Sequence, residues 1–325
     1  MTKAIRIYET GGPEVLRFED VDVPTPAPNE VRIKNTAIGL NFIDTYFRSG
    51  LYKVPQLPQT LGMEGAGVVL EVGSEVTDIS EGDRVAYAAA PMGSYSQERV
   101  MLAEKVVKIP DSISDETAAA MMLQGMTTEY LIRRCYCVEP GDVVLLHAAA
   151  GGVGSIAAQW LRELGATTIG TAGSDEKCER ARDLGCHHVI NYRTENFVER
   201  VRDITDGKGV NVVYDAVGKD VFLPSLDCLK TRGTMVTFGN ASGAVEPIEP
   251  LLLSNKGGLF LTRPILAHYT GTRQELLLSA KSLFNVVESG AVKVDINQRY
   301  ELKDTARAHR DLEARKTTGS TIILP

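Results

Sequence analysis

The chain has 325 residues, with 35 Lys and Arg against 42 Asp and Glu and a formal net charge of −7 at pH 7. That acidic balance, with no Lys/Arg cluster, argues against nucleic acid as the main partner, and no apolar run approaches the about 18 residues a membrane span needs. Cys135, Cys137, Cys178, Cys186 and Cys228 are too sparse for a disulfide framework, and Met1 to Ile5 alternate like a strand without a signal-peptide core. A cytoplasmic protein with free thiols and room for two domains is expected.

The first 120 residues carry short alternating segments at 31–38, 65–72, 84–87, 95–100 and 106–109, separated by Gly, Pro and Asp, the texture of a β-rich domain. Pro24, Pro26 and Pro28, then Pro55 and Pro58, mark loops rather than central strands. Near Asp115 the pattern becomes helical, rich in Ala and Met over 116–123, and runs on through Gln124 and Thr127 to Tyr130.

The apolar run 143–146 reads as a buried parallel strand, and Ile156, Ala157, Trp160, Leu161 and Leu164 recur at helical spacing after it. Between them lie Ala148, Gly151, Gly152, Val153 and Gly154. Small residues in a strand, turn and helix arrangement let the backbone approach a pyrophosphate, and the open N–H groups of the helix N-terminus face its charge. This is the expected dinucleotide site.

Apolar segments at 168–172, 188–190, 210–215, 234–238 and 259–261 alternate with helix-like stretches at 176–184, 196–204, 221–229 and 248–255. Together they predict an α/β fold with a six-stranded, doubly wound parallel sheet and right-handed crossovers. Phe238, Gly239 and Asn240 then end the fifth strand at the carboxyl edge, where ligands bind in such sheets.

An NAD-selective site places a carboxylate about 20 residues after the glycine turn, on the ribose 2′-hydroxyl. Here Gly173 and Ser174 leave room for a 2′-phosphate, and Lys177, one turn into the next helix, is placed to pair with it. Tyr192, past the third strand, is placed against the adenosine ribose or its phosphate, so NADPH is the expected cofactor. Asp175 and Glu176 stand beside this site. Capping the helix toward solvent, they leave the expectation intact, whereas Asp175 aimed into the pocket would make NADH plausible.

Beyond 261, two helical stretches and the strand-like 321–324 need a home outside the sheet. The simplest arrangement returns them to the first domain: 1–123 and 265–325 form one domain, and 124–264 is inserted as the nucleotide domain.

Over the whole chain, the loop running Gly39, Leu40, Asn41, Phe42, Ile43, Asp44, Thr45, Tyr46, Phe47, Arg48, Ser49, Gly50, Leu51, Tyr52 and the turn from His147 to Gly154 resemble the medium-chain dehydrogenase/reductases. Within that superfamily they are similar to the zinc-independent bacterial NADPH:quinone oxidoreductases, relatives of ζ-crystallin. The resemblance implies a GroES-like β-rich catalytic domain interrupted by a Rossmann NADPH-binding domain, and usually a homodimer joined through the nucleotide domains.

Where zinc-dependent relatives carry a ligand Cys, the resemblance places Asn41, and their Gly-His-Glu reads Gly62, Met63, Glu64. The four-cysteine lobe expected near 85–115 is missing, since the first cysteine is Cys135, and only Tyr136 separates Cys135 from Cys137. No metal is expected. His187 and His188, adjacent at a strand entry, point in opposite directions and read as surface residues.

Without Lewis-acid help the acceptor must take hydride readily. A quinone or an α,β-unsaturated carbonyl does, so the expected reaction is hydride transfer from nicotinamide C4 to a small planar electrophile in the cleft between domains, and the resemblance implies a quinone, in the EC 1.6.5 class. In the loop that replaces the zinc ligands, Asn41 offers an amide to a substrate oxygen or the nicotinamide ribose, or else stabilises the turn. Tyr46 offers a phenol that donates a proton or stacks, or else only packs against the cofactor. Tyr52 and Arg48 rank behind them, with Arg48 read as a surface or ion-pair residue.

The resemblance also implies Thr127 and Tyr130 near the pyrophosphate or nicotinamide, Phe238, Gly239 and Asn240 at the nicotinamide ribose, Arg263 after the last strand, and Arg315 reaching back to the cofactor. Core packing for Thr127 and Tyr130, and a carboxylate pair for Arg263, are the plainer alternatives. Reduction of enones, enals or an enoyl thioester shares the cofactor geometry and is the alternative function. An RNA-binding or structural role, as in some ζ-crystallin relatives, fits the acidic balance least.

Overall fold

The computed structural model describes all residues, Met1–Pro325. The chain forms two compact units: Met1–Met126 with Thr270–Glu288 and Val294–Pro325, and Thr127–Tyr269 with Ser289–Lys293.

The first unit begins with β1 (Thr2–Ile7), β2 (Arg17–Val21), β3 (Glu30–Leu40), α1 (Phe42–Ser49), β4 (Gln59–Thr60), β5 (Glu64–Val72), β6 (Arg84–Ala88), β7 (Glu98–Leu102), β8 (Val107–Lys108) and α2 (Asp115–Tyr130). β3 is the organising strand, pairing antiparallel with β5 on one side and β7 on the other. Val31 and Ile33 on β3 alternate inward and pack with Val69, Val85, Tyr87 and Met101, the period-two pattern of a sheet with one buried face. α1 starts where β3 leaves the sheet at Asn41, so a core strand fixes the entry of the loop that carries the candidate residues.

The second unit holds β9 (Val143–Leu146), α3 (Gly152–Glu163), β10 (Thr167–Ala172), α4 (Asp175–Asp183), β11 (His188–Asn191), α5 (Phe197–Ile204), β12 (Val210–Asp215), α6 (Phe222–Leu226), β13 (Leu229–Thr237), α7 (Pro250–Asn255) and β14 (Phe260–Thr262). All six strands run parallel in the order β11-β10-β9-β12-β13-β14, the doubly wound sheet expected from the sequence. Leu145, Ile169, Ile190, Val213 and Met235 form its apolar centre. The order reverses between β9 and β12, so the glycine turn after β9 lies at the switch point where such sheets bind ligands.

The chain then returns to the first unit through α8 (Arg273–Glu288), β15 (Ile296–Glu301), α9 (Thr305–Glu313) and β16 (Ser320–Leu324). β16 pairs with β3 and β15 with β16, which completes the larger sheet.

Several elements differ from expectation, and β2, like β15, has no predicted counterpart. The predicted helix over 221–229 ends at Leu226, because Leu229 is buried and pairs with Val210 at the start of a longer β13. The strand predicted over 95–100 begins at Glu98, since Tyr95 turns its ring into the core while its backbone bonds Leu61 and Ile5. β15 has no predicted counterpart: it is an edge strand whose outward side is polar, so its alternation carries little apolar signal.

Candidate functional site

The glycine turn rests on a buried histidine. His147 places Nδ1 2.9 Å from Thr171 Oγ1 and Nε2 2.8 Å from Ser225 Oγ, with Phe197 edge-on against its ring. Burial pushes its pKa down to about 3, so the imidazole is neutral and ties β10 and α6 to the end of β9. In the sequence His147 is visible only as the residue before the turn, because its partners lie 24 and 78 positions away, beyond the reach of local pattern.

Ala148 follows in a left-handed conformation, φ 55°, and its carbonyl accepts the Gly151 N–H at 2.9 Å. A Cβ at Gly154 would overlap that carbonyl oxygen and come within 2.8 Å of Ala149 Cα, so only glycine lets α3 start this close to the turn. Gly151 is the N-cap of α3 and no side chain caps the helix. The first-turn amides of Gly152, Val153 and Gly154 therefore open outward at the positive end of the helix, the cradle a pyrophosphate requires.

At the end of β10 the residues fit a 2′-phosphate. Ser174 caps α4, its Oγ accepting the Lys177 N–H at 3.3 Å. Tyr192 lies directly on Gly173, where a Cβ would come within 2.8 Å of the Tyr192 Cζ. Asp175 is exposed and turned away: its Oδ1 accepts from Asn191 Nδ2 at 2.8 Å, and it lines a separate hollow with Cys178, Glu179, Thr194 and Glu195. The condition that would make NADH plausible is thus not met. Lys177→Ala is expected to weaken NADPH binding by about 1 to 3 kcal/mol and leave NADH binding unchanged. Titration calorimetry with both cofactors checks this, and equal losses would remove the phosphate-recognition role.

The carboxyl edge of β12, β13 and β14 gathers Asn240, Arg263 and Asp215. The Asn240 amide, oriented to satisfy its neighbours, donates to the Gly239 carbonyl at 3.0 Å and accepts from Arg263 Nη2 at 3.1 Å. Phe238 N–H bonds the Asp215 carbonyl at 2.8 Å, and Gly239 sits so close to Ala216 that a side chain would collide with its backbone. Asp215 is fully buried; burial raises its pKa, while the Gly218 and Val217 amides and the Arg263 charge pull it back. Asp215 was missed in the sequence, although an acid closing an apolar strand run was a usable signal.

Thr127 and Tyr130, on the last turn of α2, are both buried. The Tyr130 ring stacks parallel on Tyr269, with centroids 4.4 Å apart and planes 9° from coplanar, so its face is committed to packing.

In the first unit, Asn41 is the N-cap of α1 and is 5% exposed. Its Nδ2 donates to Glu64 Oε2 at 2.6 Å, its Oδ1 accepts from Gln124 Nε2 at 3.1 Å, and its backbone N–H donates to Asp44 Oδ2 at 2.9 Å. Its side-chain amide is thus bonded to both β5 and α2. Tyr46 is buried, with its ring edge-on to Tyr52 at 5.2 Å and tilted to Phe42 at 6.4 Å.

Of the two readings of Arg48, the ion pair is the one observed: the residue is 2% exposed and forks onto Glu313 at 2.6 and 3.0 Å, while Nε donates to the Gly11 carbonyl at 3.1 Å. Arg315 is exposed, in a left-handed conformation at the end of α9, φ 59°.

Two buried carboxyl groups flank Asn41. Glu64 also accepts the Leu123 N–H at 2.7 Å, an amide inside α2. Burial pushes Glu64 up to about 8 and Asp44 up to about 7. A carboxyl raised in the native state binds its proton more tightly there than in the unfolded chain. Its stabilisation is complete below the unfolded value of about 4 and is lost as pH rises through the folded value. Stability is expected to fall between about pH 5 and pH 8, and Glu64→Gln is expected to flatten that fall in melting scans against pH.

No group of three or more His, Cys, Asp or Glu side chains is placed to hold a metal ion. His187 and His188 are both exposed, with His187 Nδ1 accepting the Thr168 N–H at 3.2 Å. All five cysteines are free thiols, and no helix is long and apolar enough to cross a membrane. The candidate residues thus fall into two groups, Asn41, Tyr46 and Arg315 in the first unit and the remainder in the second.

Comparison with known proteins follows the same division. The alcohol dehydrogenase GroES-like domain family matches residues 27–111, and the zinc-binding dehydrogenase family matches residues 152–266. A quinone oxidoreductase of Pseudomonas aeruginosa is 52% identical over 325 residues, covering 100% of both chains. A 2-haloacrylate reductase of a Burkholderia species is 47% identical over 331 residues, covering 100% of this chain and 99% of that one. The crystal structure of Escherichia coli quinone oxidoreductase complexed with NADPH superposes with a TM-score of 0.98 at 50% identity, covering 99% of this chain and 100% of the other.

Proposed function

Because the chain belongs to the quinone oxidoreductase branch of the medium-chain dehydrogenase/reductase family, we propose that it is an NADPH:quinone oxidoreductase of the EC 1.6.5 class. The observation that carries this reading is the end of β10, where Gly173, Ser174, Lys177 and Tyr192 gather and Asp175 turns to Asn191. Bound NADPH supplies the hydride, from nicotinamide C4.

The chain's own residues bind and orient. The open amides of Gly152, Val153 and Gly154 would hold the pyrophosphate, with Gly151 capping the helix and shaping the turn, and Ser174, Lys177 and Tyr192 would hold the 2′-phosphate. Phe238, Gly239, Asn240 and Arg263 shape the nicotinamide-ribose end, with Thr127, Tyr130 and Arg315 as further cofactor contacts. Tyr46 Oη is the group we assign to present a proton to the acceptor oxygen, and Asn41 keeps that loop in place. The proposed division of labour is a catalytic domain, 1–123 and 265–325, and a cofactor domain, 124–264; the compact units differ in placing 124–126 with the first and 265–269 and 289–293 with the second.

A homodimer is the proposed assembly. Phe260 and Leu261 are exposed on β14, the edge strand of the parallel sheet, with Leu251 and Ile265 exposed nearby in sequence, and an apolar edge of this kind calls for a cover. Light scattering of the eluting protein tests it. The free thiols support a cytoplasmic setting.

The similarity to a 2-haloacrylate reductase favours one second reading, reduction of an activated carbon–carbon double bond. Turnover of NADPH with 1,4-benzoquinone, 9,10-phenanthrenequinone, a simple enone, 2-chloroacrylate and crotonyl-CoA separates the two. Quinones are expected to have the highest kcat/KM, and turnover confined to the enone, acrylate or thioester would replace quinone reduction with the second reading.

A further inference from the structure

Four buried side chains of the first unit close a ring to which the proposed chemistry gives no part. Asp44 and Arg48 lie four residues apart on one face of α1, the spacing of a direct ion pair, yet they do not pair. Instead Tyr95 Oη stands 2.8 Å from Asp44 Oδ2 and 3.0 Å from His309 Nε2, and Arg48 Nη1 stands 3.2 Å from His309 Nδ1. Asp44, Tyr95 and His309 are each 0% exposed and Arg48 2%.

The direction of every bond follows from one end. A guanidinium only donates, so His309 Nδ1 accepts, Nε2 carries the ring proton and donates to Tyr95, and the Tyr95 hydroxyl donates to Asp44. Burial and the Arg48 charge push His309 down to about 3, and burial keeps the Tyr95 phenol protonated far into the alkaline range, so both stay neutral. Glu313, on α9, balances Arg48 at the outer end. At the inner end Asp44 faces the Asn41 and Met63 amides, with Glu64 of β5 as the neighbouring charge.

We propose that Tyr95 and His309 are positioning residues for the loop that bears Asn41 and Tyr46. They pass the Arg48 charge inward as a one-way chain of donors, so that Asp44 stays an ionised acceptor for the Asn41 N–H and fixes the start of α1. The functional part of this inference rests on the site proposed above.

Burial pushes the Asp44 carboxyl up to about 7, and the Asn41 amide, the Tyr95 hydroxyl and the Met63 amide hold it from going further. Tyr95→Phe removes one of these three donors and keeps the ring volume. Asp44 then takes up its proton at higher pH, and the Asn41 N–H loses its charged acceptor, a local change at the helix start that overall stability does not report, at pH values where the parent's helix start is unchanged.

Steady-state kinetics of Tyr95→Phe with 1,4-benzoquinone over about pH 5.5 to 9 tests this. The acid-side rise in the quinone KM is expected to move up by about one pH unit or more, with the Kd for NADPH unchanged. An unmoved KM profile, or a Kd for NADPH that changes as much as the KM, overturns the proposal. Nitrogen NMR of the unsubstituted protein needs no turnover and no folded variant. It is expected to show His309 as the Nε2–H tautomer and the Asn41 amide shift titrating near the Asp44 midpoint. The Nδ1–H tautomer or a flat Asn41 shift overturns the proposal, and quinone inactivity alongside the expected spectra removes the reaction while leaving the ring.

Discussion

Gly154→Ala is expected to lower NADPH affinity at least about a hundredfold, close to 3 kcal/mol. The added methyl would overlap the Ala148 carbonyl oxygen and crowd Ala149, with 2.8 Å to its Cα and 2.9 Å to its carbonyl carbon. All three are backbone atoms with no rotamer to escape into, so the turn must open or α3 must withdraw. Either movement tilts the first-turn amides that the pyrophosphate needs, and Ala148 already sits at φ 55°, with little slack for adjustment. Gly151 is the milder internal comparison: a Cβ there would stand 3.2 Å from the Ala148 carbonyl oxygen and φ is −83°, so Gly151→Ala should lose less stability and less NADPH affinity than Gly154→Ala. Calorimetric titration with NADPH, alongside circular dichroism to establish that each variant is folded, reads both. Equal NADPH affinity in Gly154→Ala and the parent protein would mean that the turn does not hold the pyrophosphate.

Arg48→Ala is expected to cost about 3 kcal/mol of stability. The guanidinium is almost fully buried and serves four acceptors: both Glu313 oxygens, the Gly11 carbonyl and His309 Nδ1. Truncation leaves a cavity, orphans the buried His309 imidazole and frees the part-buried Gly11 carbonyl. Glu313 fares differently, because its side chain is 37% exposed and can rehydrate. Glu313→Gln keeps an amide oxygen as acceptor and the packing around the guanidinium but removes the counter-charge of the buried Arg48, so it should destabilise measurably and still less than Arg48→Ala. Urea unfolding of the two variants measures the contrast, and equal small losses in both would show that Arg48 is held by packing alone.

The nucleotide unit was legible because its signals are local. Each strand of a parallel sheet is buried on both faces and reads as a short apolar run, as Val143 to Leu146 do, and the glycine turn lies in a single stretch of chain. Ser174 and Lys177 were found for the same reason, being three residues apart on one helix start. Long-range polar partners left no such trace. Arg48 meets Glu313 across 265 positions and Tyr95 meets His309 across 214, so nothing local marked Arg48 as buried or linked Tyr95 and His309 to Asp44. Asn41 shows the boundary between the two cases. Its position at the head of α1 was readable, but only the fold reveals that Glu64 and Gln124 take up its amide.

Oxidation of NADPH and of NADH by the protein with 1,4-benzoquinone, in the presence of a strong chelator and followed at the nicotinamide absorbance, tests the central claim most directly. Quinone-dependent turnover is predicted, with kcat/KM for NADPH at least about tenfold above that for NADH, the ratio expected if Lys177 pairs with the 2′-phosphate. Turnover at equal rates with both cofactors would contradict the phosphate site at the end of β10, and no turnover with any quinone would contradict the assignment as a quinone reductase.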